Sequence, residues 1–461
     1  MLDFIKRRLN QARVGGVARS IGVLVGGTAF AQALGVLALP VLTRLYTPAD
    51  FGVLAVYTAL LGILAVVASL RLEIAIPLPE ADEEAANLLA VALCSSAAFG
   101  AALAIVVGFG ADPISDLLDA PGLAPYLWLL PLGVWITGSY TALQYWTSRK
   151  KNFMAVARTR MSQAIGGTAT QLGLGALGIA PLGLLLGQLI KSGAGVAGLG
   201  YRLWKRDRTA LRAIRRRDMK RVAGEYQRFP KYSMLEALAN TASIQVPILL
   251  IAANSPSNDA GHLLLAMQVL AIPAALIGQA VGQVFLSHAS EHYRKNELAF
   301  FTARMVGHLI AAGIAPVAMI ALLAPLTFQL IFGSGWERSG DLVAWMAPWF
   351  FMQFITSPVS MVLHVTGNQK LALSLQFFGF VLRTGIAAVA IKLSQDHVAE
   401  AHALSGAVFY FIYFVVVARV AHIDVQLLAR AAPKKAIVLS LGGVVLVAAA
   451  LHVARLLGYG G

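Results

Sequence analysis

Apolar runs of about twenty residues, separated by short polar or charged stretches, fill the chain from near Ser20 almost to its end. A helix rises 1.5 Å per residue, so about 20 apolar residues cross the hydrocarbon core of a bilayer. The pattern predicts spanning helices, not the two-residue alternation of half-buried strands. The runs fall at 20–42, 51–71, 86–108, 124–147, 162–179, 181–201, 234–253, 262–286, 303–324, 342–364, 371–393 and 403–420, with a thirteenth at 436–456. The first is too long for the apolar region of a signal peptide. The expected fold class is an all-α polytopic membrane protein with twelve core helices and one extra C-terminal helix.

Composition agrees. Of the 461 residues, 58% are hydrophobic and 13% charged, whereas soluble domains carry about 25% charged residues. That excludes a disordered chain, a disulfide scaffold and an ordinary soluble enzyme. Cys94 is the single cysteine, so no intrachain disulfide can form. The net charge of +15 takes its meaning from the helix map. Of 37 basic residues, 31 fall on one side; Arg44, Arg338, Lys392 and Arg455 fall on the other, and Lys191 and Arg383 lie within spans. Positive charge collects on the cytoplasmic side, which predicts a multi-pass protein with its N-terminus in the cytoplasm. The same asymmetry explains the basicity without a nucleic-acid partner, because no aromatic stacking pattern accompanies the charge. Membrane lipid is the expected neighbour of these cations.

The longest basic stretch divides the chain. It predicts an N-lobe of six helices at 1–201, a basic cytoplasmic connection at 202–233, a C-lobe of six helices at 234–420, and a cytoplasmic linker with the extra segment at 421–461. A faint repeat supports two halves. Gly27-Thr28-Ala29-Phe30-Ala31-Gln32 resembles Asn240-Thr241-Ala242-Ser243-Ile244-Gln245, and each is followed by a short turn, at 47–52 and 255–261. In the first turn Thr47 is placed to cap the second helix, with Pro48 at its first position.

Two motifs suggest enzymes and fail on context. Residues 173–178 read G-x-G-x-x-G, but inside an apolar span, where small residues let helices approach. His288-Ala289-Ser290-Glu291-His292 reads H-x-x-E-H at a helix end with no third ligand in view. No catalytic, cofactor or metal site is expected. Asp82, Glu83 and Glu84 favour the start of the third helix through its dipole.

The informative residues are charges where hydrocarbon is expected. Lys191 and Arg383 lie near the middle of their spans, one in each half, with no acidic residue in reach. Buried charge is costly and marks pathways. Such a cation either bonds carbonyls at a helix break or faces a wet cavity that receives an anion. Gln32 and Gln245 share matched repeat positions, as interhelical bonds or as cavity lining. Arg44 sits at the outer end of the first helix. Arg71 and Glu73 sit at the inner end of the second, where a helical spacing of two keeps them from facing each other. Glu236, near Asn240 at the inner start of the seventh helix, and Glu73 are the candidates for ion coupling. Lys191, Arg383, Gln32, Gln245, Arg44 and Arg71 are the candidates for substrate contact.

Several segments together carry a family likeness: 42–52, ending Thr47-Pro48-Ala49-Asp50-Phe51-Gly52; Leu70-Arg71-Leu72-Glu73-Ile74-Ala75-Ile76-Pro77-Leu78-Pro79; Tyr226-Gln227-Arg228-Phe229-Pro230-Lys231-Tyr232-Ser233; Phe332-Gly333-Ser334-Gly335-Trp336 with Gly340; Ser357-Pro358-Val359-Ser360; and Gly367-Asn368-Gln369-Lys370. In order and spacing they resemble the polysaccharide-transport (Wzx-type) flippases of the multidrug/oligosaccharidyl-lipid/polysaccharide exporter superfamily, over roughly residues 15–420. The resemblance implies two six-helix lobes around a central cavity, as in MATE transporters, and alternating access. It implies an undecaprenyl-pyrophosphate-linked oligosaccharide carried from the cytoplasmic to the periplasmic leaflet for exopolysaccharide, O-antigen or capsule. It also implies polymerase and other glycan-assembly proteins as partners. No catalytic residue carries over. The alternatives are a MATE-like multidrug exporter, which would favour acids at mid-membrane, and a membrane polysaccharide polymerase or ligase, which would favour a large outer loop.

Overall fold

A computed structural model describes residue 22 and residues 26–117, 121–255, 258–273 and 279–456. The basic N-terminal tail, the start of the first apolar run and the Pro256-Ser257 part of the second turn lie outside these residues. The described residues form helices joined by short turns, with no strand among them. The elements are α1 (Gly26–Leu45), α2 (Pro48–Ala68), α3 (Asp82–Leu117), α4 (Leu129–Arg149), α5 (Phe153–Ala176), α6 (Leu182–Gly193), α7 (Gly195–Arg206), α8 (Arg208–Arg212), α9 (Arg216–Glu225) and α10 (Met234–Asn254). After them come α11 (Asp259–Pro273), α12 (Gln279–Arg294), α13 (Leu298–Phe332), α14 (Glu337–Thr356), α15 (Val362–Val365), α16 (Gln369–Leu393), α17 (Val398–Val420), α18 (Val425–Ala431) and α19 (Lys434–Leu456).

Among the described residues, nine helices are long and apolar enough to cross a membrane. Of the other expected spans, α4, α5 and α19 have 21, 24 and 23 residues. The polar load of α5, with Arg158, Arg160, Gln163, Thr168 and Gln171, separates it from its apolar neighbours. The expected span 262–286 falls on α11 and α12, with 274–278 outside the described residues. The expected continuous helix at 181–201 is interrupted by a one-residue turn at Ala194, between α6 and α7.

The chain divides into two compact units, Met1–Tyr46 with Val56–Gln245, and Thr47–Ala55 with Val246–Gly461. In the first, α3 packs on α4, and α5 on α6. Its core joins Leu72 and Ile76 to Leu88 and Leu89 of α3, Leu143 and Trp146 of α4, Leu199 and Leu203 of α7, and Val222 of α9. In the second, α14 packs against α11, α13 and α17, and α16 against α17. Here α18 and α19 both lie on α13, and the turn between them passes so close to Gly307 that a Cβ there would meet the Ala432 Cα at 2.7 Å.

Helix ends follow local chemistry. Thr47 caps α2 as its position suggests: its Oγ1 accepts from the Asp50 backbone N–H at 3.3 Å while Asp50 accepts from the Thr47 N–H at 2.8 Å. That reciprocal pair satisfies two otherwise orphaned donors. In the second unit this turn meets two other stretches. The Phe51 ring stands edge-on to Trp336 at 4.9 Å, His262 stands edge-on to the same indole at 5.6 Å, and a Cβ on Gly261 would fall 2.0 Å from the Pro48 carbonyl. Only glycine permits that backbone approach. Two segments that carried the family likeness are therefore one packed cluster.

Candidate functional site

Lys191 stands three residues before the Ala194 turn, where the Ala194 N–H still bonds the Ile190 carbonyl and the helix runs on into α7. Its Nζ donates to Gln171 Oε1 of α5 at 2.5 Å. Gln171 is itself fixed: its Nε2 donates to the Leu184 carbonyl at 3.2 Å, and its own carbonyl accepts from the Tyr46 hydroxyl at 2.7 Å. Glycines make the arrangement possible. A Cβ on Gly187 would fall 2.2 Å from Gln171 Cγ and 2.6 Å from the Gly167 carbonyl, and one on Gly167 would strike the Lys191 stem at 2.4 Å. Close approach of α5 and α6 thus brings a polar pair together in an apolar bundle. The G-x-G-x-x-G stretch does the same work, since Gly175 lies under the Tyr46 ring, 2.6 Å from a would-be Cβ.

Arg383, near the middle of α16, is 1% exposed. Its guanidinium carbon lies 4.8 Å from the Trp349 ring centre, 4.7 Å from Phe409 and 5.4 Å from Tyr410. Two of these three rings rest on glycines: Trp349 on Gly406 and Phe409 on Gly379, where Cβ atoms would fall at 2.3 and 2.5 Å. Among the described residues Arg383 Nε and Nη2 have no hydrogen-bond partner, nor do Trp349 Nε1 and either ring nitrogen of the fully buried His402, which stands edge-on to Trp349 at 5.1 Å. Aromatic faces thus supply part of what a counter-ion would. Neither Lys191 nor Arg383 belongs to an ion pair among the described residues.

The other predicted residues are placed differently. Gln32 is exposed on α1. Gln245 is half-buried, its Nε2 3.4 Å from where a Gly62 Cβ would stand. Arg44 is exposed, and its Nη1 donates to the Pro40 carbonyl one turn back at 2.6 Å. Glu236 is half-buried in the first turn of α10. Arg71 and Glu73 correct the expectation that they face apart. The helix ends before them; Leu70 and Arg71 adopt left-handed φ values of 54° and 58°. That turn swings Arg71 Nη1 to 3.5 Å from Glu73 Oε1, while Ser69 Oγ donates to Glu73 Oε2 at 2.5 Å. Side-chain direction there follows the turn, not helical spacing.

Sequence reasoning missed Gln171 and the aromatic cage, whose only linear signal is polar or ring residues inside apolar runs. It also missed a buried ion network in the second unit. Arg338 Nε and Nη2 contact Asp259 at 3.2 and 3.3 Å, and Nη1 contacts Glu400 at 2.5 Å. The three residues start α11, α14 and α17, so the network ties three helix ends. The H-x-x-E-H stretch is accounted for by solvated pairs: Lys295 donates to Glu291 at 2.7 Å, which holds the carboxyl below the usual range, and His292 pairs with Glu297 at 3.1 Å. Among the described residues no group of three His, Cys, Asp or Glu side chains is placed to hold a metal.

The described residues thus form a helical bundle of membrane-crossing length that holds Lys191 and Arg383 within its helices. The model of a family described as polysaccharide biosynthesis protein matches residues 41–341, so the chain belongs to that family, the polysaccharide-transport type its motifs resemble. Among solved structures the chain is similar to the lipid II flippase MurJ in an inward closed conformation, with a TM-score of 0.74 and 15% identity over 93% of this chain and 92% of that one. It is similar to an inward-facing multidrug resistance MATE family transporter of the MOP superfamily (TM-score 0.57, 16% identity, 87% and 94% covered). It is also similar to a MATE transporter of Vibrio cholerae (TM-score 0.58, 11% identity, 90% and 99% covered). No curated protein sequence gives a match. The fold is the one seen in these flippase and transporter structures.

Proposed function

We propose that the protein is a lipid-linked oligosaccharide flippase of a bacterial inner membrane, with its N-terminus in the cytoplasm. It carries undecaprenyl-pyrophosphate-linked oligosaccharide to the periplasmic leaflet by alternating access, and polymerase and other glycan-assembly proteins take up the product. The observation that carries this reading is one internal cation in each unit, Lys191 and Arg383, without a carboxylate partner among the described residues. An anionic headgroup relieves the desolvation of such cations as they relieve its own. The family and the likeness to a lipid II flippase support a lipid-linked cargo. A multidrug exporter of cationic drugs would be served by internal acids, and these two positions hold cations.

In this reading Lys191 is the point charge, held by Gln171 and exchangeable to a phosphate oxygen. Arg383 supplies a fixed positive field from within its aromatic cage. Arg44, Arg71, Gln32 and Gln245 are further substrate contacts, and Glu73 and Glu236 are the candidates for ion coupling. The test is complementation of glycan export in a flippase-null strain, with protein level measured in the membrane fraction. The Lys191→Ala, Arg383→Ala double variant is expected to insert normally and to fail in export. Full export at normal level overturns the anion reading.

A further inference from the structure

The basic connection is folded and docked. Trp146 Nε1 donates to Asp207 at 3.0 Å, Asn87 Nδ2 donates to the Ala213 carbonyl at 3.2 Å, and the Arg215 N–H donates to Asn87 Oδ1 at 3.1 Å. The Tyr226 hydroxyl reaches Glu84 at 3.4 Å, and Ala210 and Val222 are buried in the core of the first unit. A stretch whose charge served only to orient the chain during insertion would need none of these bonds. Docking sorts the side chains of α9: Val222 faces α3, while Arg216, Arg217, Lys220 and Arg221 are exposed at the i, i+1, i+4, i+5 spacing of one helix face. Arg221 leans on Asp218 and Glu225 at 3.8 and 3.5 Å; Arg216, Arg217 and Lys220 have no acidic partner among the described residues. Lys205, Arg206, Arg208, Arg212 and Arg215 are exposed beside them.

Two spanning helices end at this surface, Leu182–Arg206 and Phe229–Asn254. At those ends Tyr201, Trp204 and Tyr232 are 58%, 58% and 71% exposed. Two of these rings carry cations: Lys205 Nζ lies 5.8 Å from the Tyr201 ring centre and the Arg208 guanidinium 4.6 Å from Trp204. Exposed Trp and Tyr at the ends of spanning helices belong at headgroup depth. We propose that α7–α9 form a rigid platform that binds the phosphate headgroups of anionic phospholipids. The fixed cations meet the phosphates while Tyr201 and Trp204 rest among the glycerol and upper acyl groups.

The test uses the full-length protein in nanodiscs of phosphatidylcholine with and without phosphatidylglycerol. Retained lipid is read by native mass spectrometry, and Trp204 by the change in quenching by brominated phosphatidylglycerol when it is replaced by Phe. The wild type is expected to prefer phosphatidylglycerol, and raised salt should erode that preference. Arg216→Gln, Arg217→Gln and Lys220→Gln should each reduce the preference by up to about fivefold at low salt, and Trp204→Phe should remove a quenched component. Unchanged preference when Arg216→Gln, Arg217→Gln and Lys220→Gln are combined, a preference indifferent to salt in the wild type, or no quenching from Trp204 overturns the proposal. So does capture of a dissolved RNA by the platform with no preference between the two lipids.

Discussion

The guanidinium of Arg383 lies 4.8 Å from the centre of the Trp349 ring, and that ring lies on Gly406, where a Cβ would stand 2.3 Å from Cδ2. A missing methyl on α17 therefore seats a ring of α14, and the ring seats a cation of α16. The chain seats this buried charge by leaving out a side chain elsewhere. The energetic logic favours neither full solvation nor an ion pair: a buried cation over several ring faces gains about 0.5–2 kcal/mol per face.

Replacing Arg383 by Met separates its two roles. An apolar residue of similar length removes a buried charge without leaving one unpaired, so thermal stability in detergent should be unchanged or higher. Export should fall if the charge serves transport. Arg383→Lys retains charge but loses the planar stacking, and is expected to give intermediate export. A large loss of stability in the Met variant would make Arg383 structural.

Lys191 should be sensitive to its partner. Gln171→Leu removes the acceptor and leaves an ammonium unpaired, which costs about 1–3 kcal/mol. Lys191→Met with Gln171→Leu removes both ends and should recover much of that stability. Export should stay low in the double variant, because the charge is absent. Melting temperature and glycan export of the wild type, Gln171→Leu, Lys191→Met and the double variant decide it.

Two glycines give opposite expectations. Gly187→Ala forces a Cβ to within 2.6 Å of the Gly167 backbone carbonyl, so α5 and α6 must separate at a cost of about 1–3 kcal/mol. Gly35 of α1 has nothing within 4 Å of its would-be Cβ. Gly35→Ala should be neutral or stabilising by about 0.5–1 kcal/mol through helix propensity. Thermal unfolding of both variants checks the pair.

The orientation rests on the distribution of 37 basic residues. An alkaline phosphatase fusion after Arg216 should be inactive, and one after Gly335, in the turn between α13 and α14, should be active. The reverse result inverts the map.

If transport is driven by a proton gradient, the double variant Glu73→Gln, Glu236→Gln should lose its dependence on that gradient in reconstituted vesicles. Surviving dependence assigns coupling elsewhere. Glu73→Gln alone should also loosen the left-handed Leu70-Arg71 turn, read as faster proteolysis there, because the ion pair to Arg71 is lost.

The sequence by itself determined that this chain is helical and crosses a membrane, and it carried the family likeness in the order of its motifs. It could do so because apolar runs of bilayer length are a local property, and the cost of exposing backbone to lipid leaves helices as the economical solution. It also identified Lys191 and Arg383, since a charge in an apolar run is visible without a structure. Only the tertiary structure decided what surrounds them. Gln171 reaches Lys191 from another helix through paired glycines, and Trp349 and Phe409 come to Arg383 from helices on either side in the chain. The break at Ala194 and the left-handed turn at Leu70-Arg71 were equally illegible, because each is fixed by packing rather than propensity. Distance along the chain says nothing of distance through a bundle, and in a bundle the partners of a buried charge are chosen by whichever small residues let two helices touch.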